Sequence, residues 1–265
     1  MNEKIYFFSD AHLAFDRTGA EKEKQAKLLD FLKFLEEKPD TGAVYVLGDL
    51  FDFWFEWYHV IPRYWFPVLH QFRKMADRGI AVHLITGNHD FYTGRYLEEE
   101  VGIRCFNESH EFISGGKWFF LAHGDGYAKN DRGYRFLKRI IRHPFSIFMY
   151  KTFVPADWGM QLARWTSRSS RKLVQIEKES WGEEYYRFAL EKFKHGYDFV
   201  ILGHIHVPMI RETNEGKKCV YVNCGDWSTR FSYACYDGEH LELKFWETQM
   251  NLTTNAGSPG VFNRE

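Results

Sequence analysis

Cysteine, charge of one sign and long apolar runs are all scarce in this chain of 265 residues, and each scarcity removes a class of protein. The four cysteines, Cys105, Cys219, Cys224 and Cys235, have no CxxC spacing and form no dense framework, so the chain is not a small disulfide-stapled secreted fold. They read as a reduced thiol set. Lysine and arginine number 35 against 36 acidic residues, so global charge selects neither a nucleic-acid binder nor a trap for acidic substrates. No apolar run approaches the roughly 18 residues needed to cross a bilayer. Met1 leads through charged residues straight into the first apolar stretch, without the basic-then-apolar pattern of a signal peptide. The expected location is therefore cytoplasmic, with any association to the inner membrane peripheral. There is no internal repeat.

Hydrophobic residues make up 45% of the sequence, ample for the core of one large domain. Ala20 to Glu37 carries Leu28, Leu29, Leu32 and Leu35 at helical spacing, with Pro39 just beyond. Pro62 to Arg78 is a second helical stretch, closed by Gly79. Strands alternating with these helices over the first third imply parallel pairing. From about Phe106 shorter strands and Gly-containing turns take over, such as Ser114-Gly115-Gly116-Lys117. Similar short strands return as Val207 to Arg211, Val220 to Asn223, Tyr233 to Tyr236 and Leu241 to Phe245. Two packed sheets mixing parallel and antiparallel pairs, with helices outside, follow from this order. The expected layout is a single domain over 1–250, a helical insertion at about 131–194, and a polar, aperiodic, flexible tail at 251–265.

Five short runs carry residues suited to metal binding: Asp10-Ala-His12, Gly48-Asp49, Gly87-Asn88-His89-Asp90, His123-Gly-Asp125 and Gly203-His204-Ile-His206. Each follows directly on an apolar stretch that reads as a buried strand: Ile5 to Phe8, Val44 to Leu47, Val82 to Ile85, Trp118 to Leu121 and Phe199 to Leu202. In α/β sheets ligands gather at the carboxyl ends of strands, so one rule brings all five runs to a single rim. Taken singly, such runs arise by chance, and a lone histidine near a core is more often structural. Five in order, each at a strand end, point to a shared metal site.

Cleaving a phosphate ester at neutral pH requires a strong nucleophile and neutralisation of the phosphoryl oxygens. Two divalent ions about 3.5–4 Å apart supply both. Asp10, His12, Asp49, Asn88, His123, His204 and His206 form a donor set of carboxylate, imidazole and amide without thiolate, suited to Mn, Fe or Zn rather than to a structural zinc site.

In motif order and over about Ile5 to Trp246 the chain resembles the calcineurin-like metallophosphoesterases. The resemblance implies an α/β fold, a four-layer αββα sandwich of two mixed sheets with the helical insertion as a lid. It also implies a centre of two divalent ions, manganese foremost. Asp10, His12, Asp49 and His206 would hold one ion, Asp49 would bridge, and Asn88, His123 and His204 would complete the other. His89 would lie over the phosphate as an electrophile or proton donor. Asp90 would either orient that imidazole or serve as a turn or cap residue. A non-catalytic scaffold of this fold would be expected to have lost ligands, and this chain keeps all of them.

Within that superfamily the chain looks most like the bacterial UDP-2,3-diacylglucosamine pyrophosphatases of lipid A biosynthesis. The likeness rests on Ser9-Asp-Ala-His-Leu13, Leu47-Gly-Asp-Leu-Phe-Asp52, the run His123 to Asp131 followed by Tyr134, and the insertion. It implies hydrolysis to UMP and 2,3-diacylglucosamine 1-phosphate. Asp131 would lie next to the glucosamine unit, with Arg135, Arg168, Arg171 and Lys172 near the diphosphate. The best-known members carry Arg where this chain has His89, which returns the motif to the general form. A branch acting on another nucleotide-linked or lipid-linked phosphate therefore stays open.

Between Lys129 and Lys172 eleven lysines and arginines face only Asp131 and Asp157, interleaved with Phe136, Phe145, Phe148, Phe153, Trp158 and Trp165. A lipid with a phosphate head, or an anionic lipid surface, fits this mixture. A cap whose apolar side packs inward while its cations stay in water is the alternative. Nucleic acid, the third use of such charge, is not expected as a partner. The aromatic run Phe51 to Tyr58 fits either a packed core helix or the wall of an acyl-chain groove.

Overall fold

In the computed structural model, residues 3–15, 18–127, 132–163, 178–213 and 217–246 are described, without the side chains of 91, 132–136 and 178–180. The chain opens with β1 (Lys4–Phe8), α1 (Gly19–Glu37), β2 (Thr41–Val46), β3 (Trp54–Phe55), α2 (Phe66–Asp77), β4 (Ala81–Ile85) and β5 (Asp90–Tyr92). It continues with β6 (Ile103–Phe106), β7 (Ser109–Ser114), β8 (Lys117–Ala122), α3 (Arg132–Ile141), α4 (Pro144–Phe153), the helical stretch α5 (156–163) and α6 (Lys178–Lys194). It ends with β9 (Phe199–Leu202), β10 (Met209–Thr213), β11 (Cys219–Asn223), β12 (Ser232–Tyr236) and β13 (Leu241–Phe245). The tail at 251–265 lies outside the described residues.

Two mixed sheets form the centre. The first has the order β13-β12-β1-β2-β4-β6, with β1, β2, β4 and β6 parallel. The second has the order β10-β11-β9-β8-β7, with β11, β9 and β8 parallel between antiparallel edges. Successive strand residues point to opposite faces, and here both faces are covered. Phe119 and Leu121 of β8 pack between the sheets against Phe7 and Leu47, whereas Phe120 packs outward with Val200 against Tyr185 and Ala189 of α6. Leu28, Phe31, Leu32 and Leu35 of α1, with Val68, Phe72 and Met75 of α2, cover the other outer face. Burial on both sides is why these strands read as continuous apolar runs, and it gives the four-layer αββα sandwich.

Local chemistry sets the ends of the elements. Thr18 caps α1 by accepting the N–H of Glu21 at 3.3 Å. Gly115 and Gly116, with φ of 57° and 71°, form the two-residue turn joining β7 to β8, a conformation that favours glycine at both positions. Pro208 delays β10 to Met209, two residues later than the apolar pattern suggests.

The run Phe51 to Tyr58 is not a helix. Trp54–Phe55 is extended and pairs in parallel with β5, and Phe51, Phe53, Trp54, Phe55 and Trp57 are buried in the core beneath α1 and α2. Trp65 stacks across this cluster, 4.5 Å from Phe51 and 5.8 Å from Trp54. A short apolar run carries no period that separates helix from strand, and tertiary packing decides it. Among the described residues the insertion contains helices and no strand, and its last helix, α6, serves as the outer layer on the second sheet.

Candidate metal centre

The five runs leave β1, β2, β4, β8 and β9, all parallel within their sheets, so their carboxyl ends converge where the two sheets meet. Among the described residues seven non-glycines have positive φ, and five of these are Asp10, His12, Asp49, His204 and His206, at 42° to 72°. A left-handed backbone at such residues costs about 1–3 kcal/mol each and persists only where the surroundings impose it. Here the neighbouring loops do so: Asp10 N–H donates to Gly48, His12 N–H to Asp49, and Trp227 N–H to the Asp10 carbonyl. Gly48, at φ 82°, leaves the space His123 needs, since a Cβ there would come within 2.5 Å of the imidazole Nδ1.

Asp49 lies at the middle. Its Oδ2 is 3.3 Å from His123 Nε2, 3.7 Å from His12 Nε2 and 3.9 Å from His89 Nε2, while Oδ1 accepts the N–H of His89 at 2.8 Å. On one side Asp10 Oδ1 meets His206 Nε2 at 3.1 Å and His12 Nε2 at 3.6 Å. The two imidazole nitrogens are 3.2 Å apart. On the other side His123 Nε2 is 3.1 Å from His204 Nδ1 and 3.2 Å from Asn88 Oδ1. His123 donates its Nδ1 proton to the Leu47 carbonyl at 2.7 Å, an acceptor-only partner that turns the Nε2 lone pair toward the centre.

Buried lone pairs facing one another need a positive charge between them. Asp10 Oδ1 has no hydrogen-bond partner among the described residues, and it faces two imidazole nitrogens. Burial pushes both Asp10 and Asp49 up, yet the surrounding histidines outweigh it and hold both carboxyls below the ordinary carboxylate range. Burial lowers His123 too, but Asp49 and Asp10 outweigh it and push the imidazole up to about 10. His204, desolvated and beside His123, falls to about 4, and burial lowers His12. Three trios, Asp10–His12–His206, Asp49–His123–His204 and His12–Asp52–His89, each present ligand atoms within 4.8 Å of one another, and the thiolate-free donors suit hard or borderline divalent ions.

All seven sequence-predicted ligands thus converge. His89 stands beside them, its ring edge-on to His12 at 4.8 Å and its Nδ1 bonded to the Asp52 carbonyl at 2.6 Å. Asp90 holds backbone instead of that ring, because its Oδ2 accepts the N–H groups of Asp49 and Gly87. The group that orients His89 is the Asp52 carbonyl. Of the expected substrate contacts, Asp131, Arg168, Arg171 and Lys172 lie outside the described residues, and Arg135 is in α3 with its side chain outside them.

The sequence reading passed over four supporting groups. Asp52 places Oδ1 3.6 Å from His12 Nδ1, in the position of an outer partner to a ligand. Asn223 donates to the Gly203 carbonyl at 2.6 Å and accepts from Gly225, fixing the turn into His204. Trp181 lies parallel to His204 at 6.2 Å. Arg142 reaches from the insertion to the Gly87 loop. Only Asp52 had a sequence signal, lying three residues after Asp49.

The model of the family described as calcineurin-like phosphoesterase matches residues 3–208. The chain belongs to that family. This calcineurin-like phosphoesterase is a metal-dependent phosphohydrolase. It is 31% identical to the UDP-2,3-diacylglucosamine hydrolase of Porphyromonas gingivalis, over 93% of this chain and 99% of that protein. The protein of the same name from Pseudomonas putida is 27% identical over 85% of this chain and 92% of its own length. A dimetal phosphatase from Danio rerio, of solved structure, superposes with a TM-score of 0.48 at 12% identity, covering 95% and 98% of the two chains.

Proposed function

We propose that this phosphoesterase hydrolyses UDP-2,3-diacylglucosamine to UMP and 2,3-diacylglucosamine 1-phosphate in lipid A biosynthesis. The observation that carries the reading is the similarity, along 93% of the chain, to a hydrolase named for that substrate. Two divalent ions, manganese foremost with iron or zinc as alternatives, would polarise the phosphate and activate water. Asp10, His12, Asp49 and His206 would hold one ion and Asn88, His123 and His204 the other, with Asp49 shared.

The chain's own residues do the rest. Asp49 and Asp10 stay ionised, so they remain ligands instead of proton carriers. Since the Asp52 carbonyl can only accept, His89 keeps a proton on Nδ1, and Nε2 is the atom left to meet a leaving oxygen. From that atom the ring would stabilise charge developing on the leaving oxygen or donate to it. Asp131, Arg135, Arg168, Arg171 and Lys172 would hold the glucosamine and diphosphate.

The insertion supports a lipid substrate presented at the inner membrane. Phe145, Phe148, Phe153 and Trp158 are all more than half exposed, and α4 buries none of its residues. Lys151 lies beside them over the ring of Tyr58. No helix of the described residues is long and apolar enough to span a bilayer. On the exposed aromatics and cations of the insertion we read the association as peripheral, from the cytoplasmic side. We further read the chain as one domain over 1–250, with the insertion at about 131–194 as a lid.

One observation favours a second enzyme: His89, in the general superfamily form, equally suits cleavage of another nucleotide-linked or lipid-linked phosphate. Incubation with UDP-2,3-diacylglucosamine and Mn(II) separates the two. Release of UMP supports the first. Turnover of simple diesters with no UMP released would transfer the assignment to the second.

A further inference from the structure

Arg142 lies in the turn that joins α3 to α4 within the insertion, with its own N–H bonded to the Lys138 carbonyl. Its guanidinium leaves the insertion altogether. Nη2 donates to the carbonyls of Gly87 and Asp90, the latter at 3.4 Å, and Nη1 reaches Thr86 Oγ1 at 3.5 Å. These carbonyls bracket Asn88 and His89, one a candidate ligand and the other the group placed over the phosphate. The same short segment is gripped from inside, because Asp90 Oδ2 accepts the Gly87 N–H and Asp49 Oδ1 accepts the His89 N–H. Inner acceptors and outer donors together fix both ends of a four-residue loop.

A second tie has the same origin. Lys138 of α3 pairs with Asp125 at 2.6 Å, and Asp125 follows His123 by two residues. The turn end of the α3–α4 hairpin therefore holds the loop of Asn88 through Arg142 and the loop of His123 through Lys138. Both loops serve the same side of the centre. The far surface of this hairpin is the exposed apolar face of α4.

We propose that Arg142 is a positioning residue through which the α3–α4 hairpin sets the Gly87–Asp90 loop, so that the insertion governs the placement of Asn88 and His89. The inference rests on the metal-centre reading in taking Asn88 as a ligand. It assigns the insertion a part in assembling the centre, beyond any contact with substrate. A planar guanidinium has the fork to serve two carbonyls and a hydroxyl at once, and an ammonium does not.

The test compares the full-length wild type with Arg142→Ala, Arg142→Gln and Arg142→Lys. Mn(II) uptake is followed by electron paramagnetic resonance, turnover with bis(p-nitrophenyl) phosphate, and folding by thermal melting. Groups that orient a ligand typically change metal affinity or activity 10–100-fold. The expected result for Arg142→Ala is loss of that order in affinity for the weaker Mn(II) and in kcat, with KM changed less than about threefold. Arg142→Lys should recover only a small part. If the alanine variant melts early, the glutamine and lysine variants, which keep most of the bulk, carry the comparison. Wild-type Mn(II) affinity and kcat in the variants would overturn the inference alone, and so would a rise confined to KM, which would make Arg142 a substrate contact. A wild type that takes up none of Mn(II), Fe(II) and Zn(II) would overturn the metal-centre reading and this inference with it.

Discussion

Asp90 accepts the backbone N–H of Asp49 at 2.8 Å, and the same carboxylate oxygen takes the N–H of Gly87 at 3.1 Å. One acidic side chain thereby ties the loop after β2 to the loop after β4, which supply Asp49 and Asn88 to the centre. Burial, with Asp49 nearby, raises its pKa to about 6. The arrangement explains how two surface connections become rigid. Their backbone donors lie in a desolvated place, where an unmade hydrogen bond costs about 1–3 kcal/mol.

Replacing Asp90 by Ala strands both donors, so Asp90→Ala should lose on the order of 3 kcal/mol even without metal. Asp90→Asn keeps an oxygen acceptor and should lose about 1 kcal/mol or less. Urea unfolding in the presence of a chelator measures this apart from ion binding. Equal metal-free stability of wild type and Asp90→Ala would show that the tie contributes nothing.

Gly48 offers a sharper steric test. An alanine there takes on a φ of 82° and drives its methyl toward His123 Nδ1 at 2.5 Å and Gly87 Cα at 2.8 Å. His123 is pinned to the Leu47 carbonyl and has no free rotation with which to yield. Gly48→Ala should keep its far-ultraviolet circular dichroism but bind Mn(II) more than tenfold more weakly, read by metal analysis after dialysis. Undiminished metal content would mean that the turn relaxes without moving His123.

The centre was legible in the sequence because buried parallel strands are continuous apolar runs and their ends are where ligands collect. Ile5 to Phe8 before Asp10, and Phe199 to Leu202 before His204, are instances of both. The sandwich was legible for the same reason. Arg142 and Asn223 were not, because they act on backbone carbonyls and any loop offers those. The part played by Asp90 was left open, since a carboxylate next to a histidine in sequence can point at the ring or at the main chain. Phe51 to Tyr58 misled because pairing of Trp54–Phe55 with β5 and ring packing against Trp65 accompany its extended path, and no local period records those contacts.

His89 should separate chemistry from metal binding. Its Nε2 is 3.9 Å from Asp49 Oδ2 and its Nδ1 bonds the Asp52 carbonyl, while a third trio groups its ring with His12 and Asp52. His89→Ala should lower kcat by roughly 10²–10³, in the range of a lost proton donor, while most of the metal stays bound. Turnover and metal analysis on the same preparation check this. Loss of both ions with activity would make His89 structural.

His83, on β4 and away from the centre, carries a pH dependence of stability. Its half-buried imidazole packs against Tyr45 at 4.4 Å and Phe106 at 5.7 Å, and Nδ1 finds no hydrogen-bond partner among the described residues. Burial, then His110 and Arg104, lowers its pKa to about 4. His110, facing it, is lowered as well by burial and Arg104. The unfolded chain therefore holds the His83 proton more tightly than the folded chain between pH 6.5 and 4, and stability falls as pH drops through that window. Allowing for solvent screening of a partly exposed ring, the loss at this residue should be on the order of 1–2 kcal/mol. That corresponds to a melting temperature about 2–8 °C lower for a chain of this size. His83→Phe keeps the stacked ring and removes the titration, so the melting difference between variant and wild type should shift in the variant's favour from pH 7 to pH 4. A difference independent of pH would show that His83 takes up its proton in the folded state as readily as in the unfolded one.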